Sequence, residues 1–179
     1  WVAVMIIVIV MLIGLLVGSS FGIFFSNEDT GGETMQDVIR EINDEYLENI
    51  ETIKLENPYD VLEISGSRAV WKEVLAVYAV KTTTDPLNGQ EVATITDEKK
   101  EILREIFWEM NEISFRTEEI TETVIVESDD GNGNIVETET TETRTYLFIT
   151  VSHKTADEMA EEYNFDRKQK EQLNALLSE

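Results

Sequence analysis

The chain has 179 residues, with 37 Asp and Glu against 14 Lys and Arg, a formal net charge of −23, one His and no Cys. The missing cysteines exclude disulfides, Fe–S ligation and thiol catalysis within these residues. The charge excludes nucleic acid as a partner, because a polyanion is repelled and no Lys/Arg stripe with interleaved aromatics reverses the field locally.

Residues 1–25 contain no charged side chain, whereas every acidic and basic residue follows them. As a helix they would extend about 37 Å, enough to cross a hydrocarbon core of about 30 Å. This predicts a transmembrane helix over 1–25. A cleaved signal peptide, cut near Val17, Gly18, Ser19 and Ser20, fits less well. Such h-regions usually run about 7–15 residues behind a basic stretch. Gly14, Gly18 and Gly22 recur at every fourth position and flatten one helix face. Such a face lets a partner helix approach closely, so self-association through the span is the expectation it raises.

No basic residue occurs before Arg40, and the span is followed by SNEDTGGETMQD. Because Lys and Arg are retained on the cytoplasmic side, the soluble region is expected on the outer side of a bacterial cell membrane, crossed once. The chain opens on Trp1 inside apolar sequence and closes directly behind a helical pattern. Both ends read as cut, with a cytoplasmic N-terminus expected upstream and a further domain downstream.

Residues 26–34, with Gly31, Gly32 and three acids, form a polar tether, and 35–179 are expected to be one extracytoplasmic domain. From Met35 the apolar positions Val38, Ile39, Ile42, Tyr46, Ile50 and Ile53 keep helical spacing until Asn57-Pro58 stops them. After a Ser65-Gly66-Ser67 break, Val70, Trp71, Val74, Leu75, Val77 and Tyr78 predict a short, very apolar helix, and TTTDPLNG a turn. Thr96 or Asp97 can cap the next helix, in which Ile102, Leu103, Ile106, Phe107, Met110 and Ile113 share one face. Trp71, Leu75, Tyr78, Ile106 and Met110 are the predicted core.

Composition then shifts to Thr, Val, Ile and Glu in two long extended runs around DDGNGN, which is a hairpin signature. Its Thr-Glu arms should project into water, with Tyr146, Leu147, Phe148, Ile149 and Val151 returning to the core. Two capping boxes, Thr155 with Glu158 and Asp166 with Gln169, open a C-terminal helix pair. The fold class is therefore α+β: a transmembrane helix, then a small helical domain with a long inserted β-hairpin and a C-terminal helix pair.

No cofactor or metal site emerges from these residues. DDGNGN fails as a calcium loop, because Ile135 stands where that loop requires Gly. His153 has no second His and no Cys to share a zinc ion. Glu73, Glu105 or Glu109 could be named as a glycosidase acid, but carboxylate pairing is a three-dimensional property. Glu101 and Glu105 are explained more simply as a solvated face beside Lys99, Lys100 and Arg104. The final residues have the helix-turn-helix rhythm of LysM-type wall binders and of DNA-binding motifs, and their acidity argues against DNA.

Three blocks in order, RAVWKEVLAVYAVKTTTD, EVATITDEKKEILREIFWEMNEIS and TYLFITVSHKTADEMAEEY, carry a family resemblance. The chain resembles the N-terminal half of the CD1108-family mobile element proteins, membrane-anchored cell-wall hydrolases of conjugative elements in Firmicutes. In that family a CHAP or NlpC/P60 catalytic domain follows, and in related proteins a metallopeptidase. With no Cys and one His, no catalytic residue carries over to this chain. The resemblance implies a non-catalytic stalk that positions a peptidoglycan hydrolase, with the membrane, peptidoglycan and other conjugation-apparatus proteins as partners. A wall-active glycosidase and a cell-wall-binding module are the alternatives.

Overall fold

The computed structural model describes residues 34–82, 95–129 and 135–178. The expected span over 1–25 with Gly14, Gly18 and Gly22, most of the tether, most of the TTTDPLNG turn and most of DDGNGN lie outside them. The described residues form an α+β structure of five helices and one three-stranded sheet. In chain order these are α1 (Met35–Glu56), β1 (Val61–Gly66), α2 (Trp71–Thr82), α3 (Asp97–Met110), β2 (Asn111–Asp129), β3 (Ile135–His153), α4 (Ala156–Glu162) and α5 (Arg167–Ser178). Among the described residues no helix is long and apolar enough to cross a membrane.

The described chain separates into two compact units. Unit 1 holds residues up to 46, 67–112 and 152 onward, and unit 2 holds 47–66 and 113–151.

Unit 1 is helical. Helix α1 starts at a reciprocal cap, in which the Thr34 N–H donates to the Asp37 carboxylate at 3.1 Å and the Asp37 N–H donates to the Thr34 hydroxyl at 3.2 Å. Its Met35, Val38, Ile39, Ile42 and Tyr46 are buried. Helix α2 buries Trp71 and every residue from Val74 to Val80. A helix apolar all round must be enclosed, and α2 accordingly packs on α3, α4 and α5. The Trp71 ring stacks on Phe107 with centroids 5.1 Å apart. Val70, expected within the apolar helix, instead precedes it and is 55% exposed.

Polar atoms inside unit 1 are used as ties. Asn111 closes α3 by donating to the Phe107 carbonyl at 2.7 Å and accepts from the Ala69 N–H at 2.7 Å, which joins the end of α3 to the entry of α2. Asn43 donates to the Ile39 carbonyl at 2.8 Å and accepts from Trp71 Nε1 at 3.3 Å and from Arg68. Buried amides are tolerated on such terms, because each donor and acceptor finds a partner.

Both C-terminal capping boxes form. Thr155 and Glu158 cap α4 reciprocally, and Asp166 and Gln169 exchange bonds of 2.8 and 2.9 Å ahead of α5. Helix α4 ends with Asn164 in the left-handed region, φ 54°, with Phe165 N–H bonded to the Ala160 carbonyl and Asn164 N–H to that of Glu161. These two bonds are the Schellman closure, and Asn is one of the few non-Gly residues that accepts that backbone.

Unit 2 is a sheet with strand order β1-β3-β2. Strand β1 runs parallel to β3, from Val61 opposite Tyr146 to Gly66 opposite Val151. Asp60 sets this register: its N–H donates to the Thr145 carbonyl and its carboxylate accepts from the Thr145 N–H, both at 2.8 Å. At Gly66, φ 84°, a Cβ would meet the Val151 carbonyl oxygen at 1.9 Å, so only glycine fits. Leu147 and Ile149 form a core with Ile53 of α1, flanked by Ile50, Tyr59, Leu62 and Ile113. The expectation that Tyr146 and Phe148 also return to the core is corrected. Strand alternation turns them to the opposite face, where they are only half-buried.

Candidate functional site

The five predicted core residues all lie in unit 1. Trp71 is 5% exposed, Leu75 1%, and Tyr78, Ile106 and Met110 0%. They are packing residues placed by α2 and α3. Tyr78 carries one irregularity: its hydroxyl is buried without a hydrogen-bond partner among the described residues, and burial pushes its pKa up from 10.0 to about 12. One oxygen of Glu73 is likewise buried and unpartnered.

The other sequence candidates are Glu101, Glu105, Glu109 and His153. Glu109 accepts a hydrogen bond from the Tyr163 hydroxyl, whose pKa is raised first by burial and then by that carboxylate. Glu101 pairs with Arg104, and Glu105 is exposed. His153 ends β3 with Nδ1 2.8 Å from the Ser67 carbonyl oxygen. Among the described residues no group of three His, Cys, Asp or Glu could hold a metal ion.

Two cationic side chains on α3 gather the acids of α1. Arg104 reaches Glu45 through Nε at 2.9 and 3.1 Å and Glu41 through a terminal nitrogen at 2.8 Å. Lys100 also pairs with Glu41 and, by that bond above all, holds its carboxyl below the ordinary glutamate range. Arg68 lies over the Tyr46 ring, 5.5 Å from its centroid, and burial lowers its pKa. The Arg104 and Lys100 contacts hold α3 against α1.

The feature with the character of a recognition surface is in unit 2. On the sheet face opposite Ile53, the Arg116 guanidinium lies 4.0 Å from the centroid of the Phe148 ring. Phe148 stacks on Tyr146 at 5.8 Å. The Tyr146 hydroxyl donates to Glu122 at 2.6 Å, and this bond is the main reason its pKa is raised. Beyond this row β2 and β3 continue as a ribbon in which the Thr121 and Thr143 hydroxyls meet at 2.9 Å. Toward its far end Ile125 is 62%, Val126 47% and Ile135 72% exposed.

Sequence reasoning did not single out these three residues. The signal was present, since Val124, Ile125 and Val126 are consecutive and interrupt the Thr-Glu alternation. In a ribbon with successive side chains on opposite faces, three adjacent apolar residues cannot all point into one core.

No family model matches the chain, and no curated protein or solved structure matches it.

Proposed function

We propose that the chain is the membrane-anchored, extracytoplasmic positioning region of a peptidoglycan hydrolase of a conjugative element, with catalysis residing in a domain outside these residues. The observation that carries this reading is the partition of the sequence: 25 residues without a charge, then every one of the 37 acids and 14 bases. An uncharged run of that length is matched to a bilayer, and the lack of a basic flank after it favours an outside location. The order of the three resembling blocks supports the cell-wall context. The expected span, its glycine face and any pairing through it belong to the same proposal.

Two experiments test it. Protease added to intact protoplasts should remove residues 35–179, and protection until the membrane is lysed would reverse the topology. The full chain, embedded in a zymogram gel, should leave peptidoglycan uncleared with or without divalent metal. A second reading is a wall-active glycosidase using a Glu acid, for which the half-buried Glu73, with one side-chain oxygen buried and without a hydrogen-bond partner among the described residues, is the carboxylate to test. Clearing that is abolished by Glu73→Gln would promote it.

A further inference from the structure

Strand β1 accompanies β3 only over Tyr146–Val151. Residues 135–145 of β3 therefore have no third strand beside them among the described residues, and β2 is the terminal strand of the sheet along its length. Free strand edges are templates for further strands, and proteins usually blunt them with lysine, proline or a covering element. Between residues 117 and 143 there is no Lys, no Arg, no His and no Pro, while there are nine acids. Among the described residues no strand pairs with this edge, and the charge along it is negative.

That charge selects the occupant. A second copy of this chain, paired edge to edge, would bring its own Glu118, Glu119, Glu122 and Glu127 against those of this β2, and like charges placed opposite one another across strands are destabilising. The exposed Ile125, Val126 and Ile135 at the far end argue against a merely solvated ribbon, for which Thr and Glu would serve throughout. Ile125 and Val126 are adjacent in the strand, so they present apolar surface on both faces. A strand added to β2 would extend both faces at once.

We propose that the β2–β3 ribbon is a docking arm that captures an extended, Lys/Arg-rich segment of a partner protein as an additional strand along the free edge of β2. Main-chain hydrogen bonds supply pairing, Glu side chains supply partners for the cations, and Ile125 or Val126, which lie on opposite faces, receives the apolar residues that the segment presents on that face. The proposal stands apart from the anchoring reading, because peptide capture and peptidoglycan clearing succeed or fail independently.

The test uses the full chain and a short fluorescent peptide alternating Lys with Val, read by anisotropy at low and high salt. Binding is expected at low salt and should weaken as salt screens the arm. A peptide of the same length and charge with Pro in place of each Val, which removes alternate main-chain donors, should bind at least about tenfold more weakly. The triple change Ile125→Thr, Val126→Thr and Ile135→Thr keeps strand propensity and charge and should weaken binding by about tenfold. Glu119→Lys should weaken it as well, and far-ultraviolet circular dichroism should be unchanged in both variants. Equal affinity for the Pro peptide, or an unaffected Thr variant, would reduce the interaction to general electrostatics and overturn the proposal. So would concentration-dependent self-association of the chain that the Thr variant abolishes.

Discussion

Tyr78→Phe should stabilise unit 1. The Tyr78 ring is 0% exposed on an α2 helix packed against three others, and its hydroxyl has no partner among the described residues. A buried hydroxyl left unpaired costs about 1–3 kcal/mol, while the phenyl ring of the variant retains nearly all the packing. A gain of about 1–2 kcal/mol in urea unfolding follows at neutral pH. Alkaline titration isolates the same group. Its folded pKa, about 12, lies above the ordinary value of 10.0. The unfolded chain therefore releases the proton first as pH rises past 10, and stability falls from there until the folded phenol ionises. Over that window wild type should lose about 3 kcal/mol more than the variant, because each unit of difference is worth about 1.4 kcal/mol. Tryptophan fluorescence is a suitable probe, since Trp71 and Trp108 both belong to unit 1. If Tyr78→Phe instead destabilises by 1 kcal/mol or more, in the range a buried hydrogen bond is worth, and leaves the alkaline slope unchanged, the hydroxyl has a partner and the reasoning fails.

Arg104→Ala removes the shared cation of Glu41, Glu45 and Glu101 and should cost about 2 kcal/mol, with Arg104→Lys between it and wild type because an ammonium cannot make the forked contact. No loss on urea unfolding would show the cluster to be a surface decoration. Gly66→Ala should destabilise unit 2 by more than the about 1–2 kcal/mol that left-handed backbone alone costs, since its Cβ would also strike the Val151 carbonyl. Exchange of the β3 amides near Val151 is the readout, and unchanged protection would contradict the close approach. Lys100→Gln should flatten the acid limb of the stability profile. The Glu41 carboxyl is held below its ordinary value, so its contribution is present above the usual carboxylate range and disappears as pH falls through the lowered value. An acid limb identical to wild type would show that Lys100 does not hold it.

What was legible in the sequence was local. The spacing from Met35 to Ile53 and the stop at Asn57-Pro58 give α1, which ends at Glu56. Thr96 does cap α3, and both C-terminal capping boxes form, because an N-cap is decided by side chains three residues apart. Strand β1 was not legible. It has six residues, of which only Val61 and Leu62 are even partly buried, and it exists by pairing with residues 85 positions later through Asp60 and Thr145. No periodicity announces a partner at that distance. The side assignment of Tyr146 and Phe148 fails for a related reason. Composition marks an apolar strand end, but the alternation admits only Leu147, Ile149 and Val151 to one face, and the aromatics between them must go to the other.

The placement of the few cations explains why the arm rather than the helices is the reactive part of this charge distribution. In unit 1 Lys100 and Arg104, 17% and 20% exposed, face Glu41 and Glu45 and neutralise a seam between α1 and α3. In unit 2 the two arginines stand at the ends of the acidic stretch, Arg116 paired with Glu118 and Arg144 with Glu142. The acids between them have no basic residue within the stretch, and opposite-charge neighbours across strands are the ordinary way such side chains are stabilised. A cationic strand arriving from elsewhere would complete that pattern, whereas it would compete with existing ion pairs at the α1–α3 seam. The salt sensitivity of peptide capture should consequently survive Arg104→Ala unchanged and be lost with Glu119→Lys and further reversals along the ribbon, which separates the arm from the general field of a chain at −23.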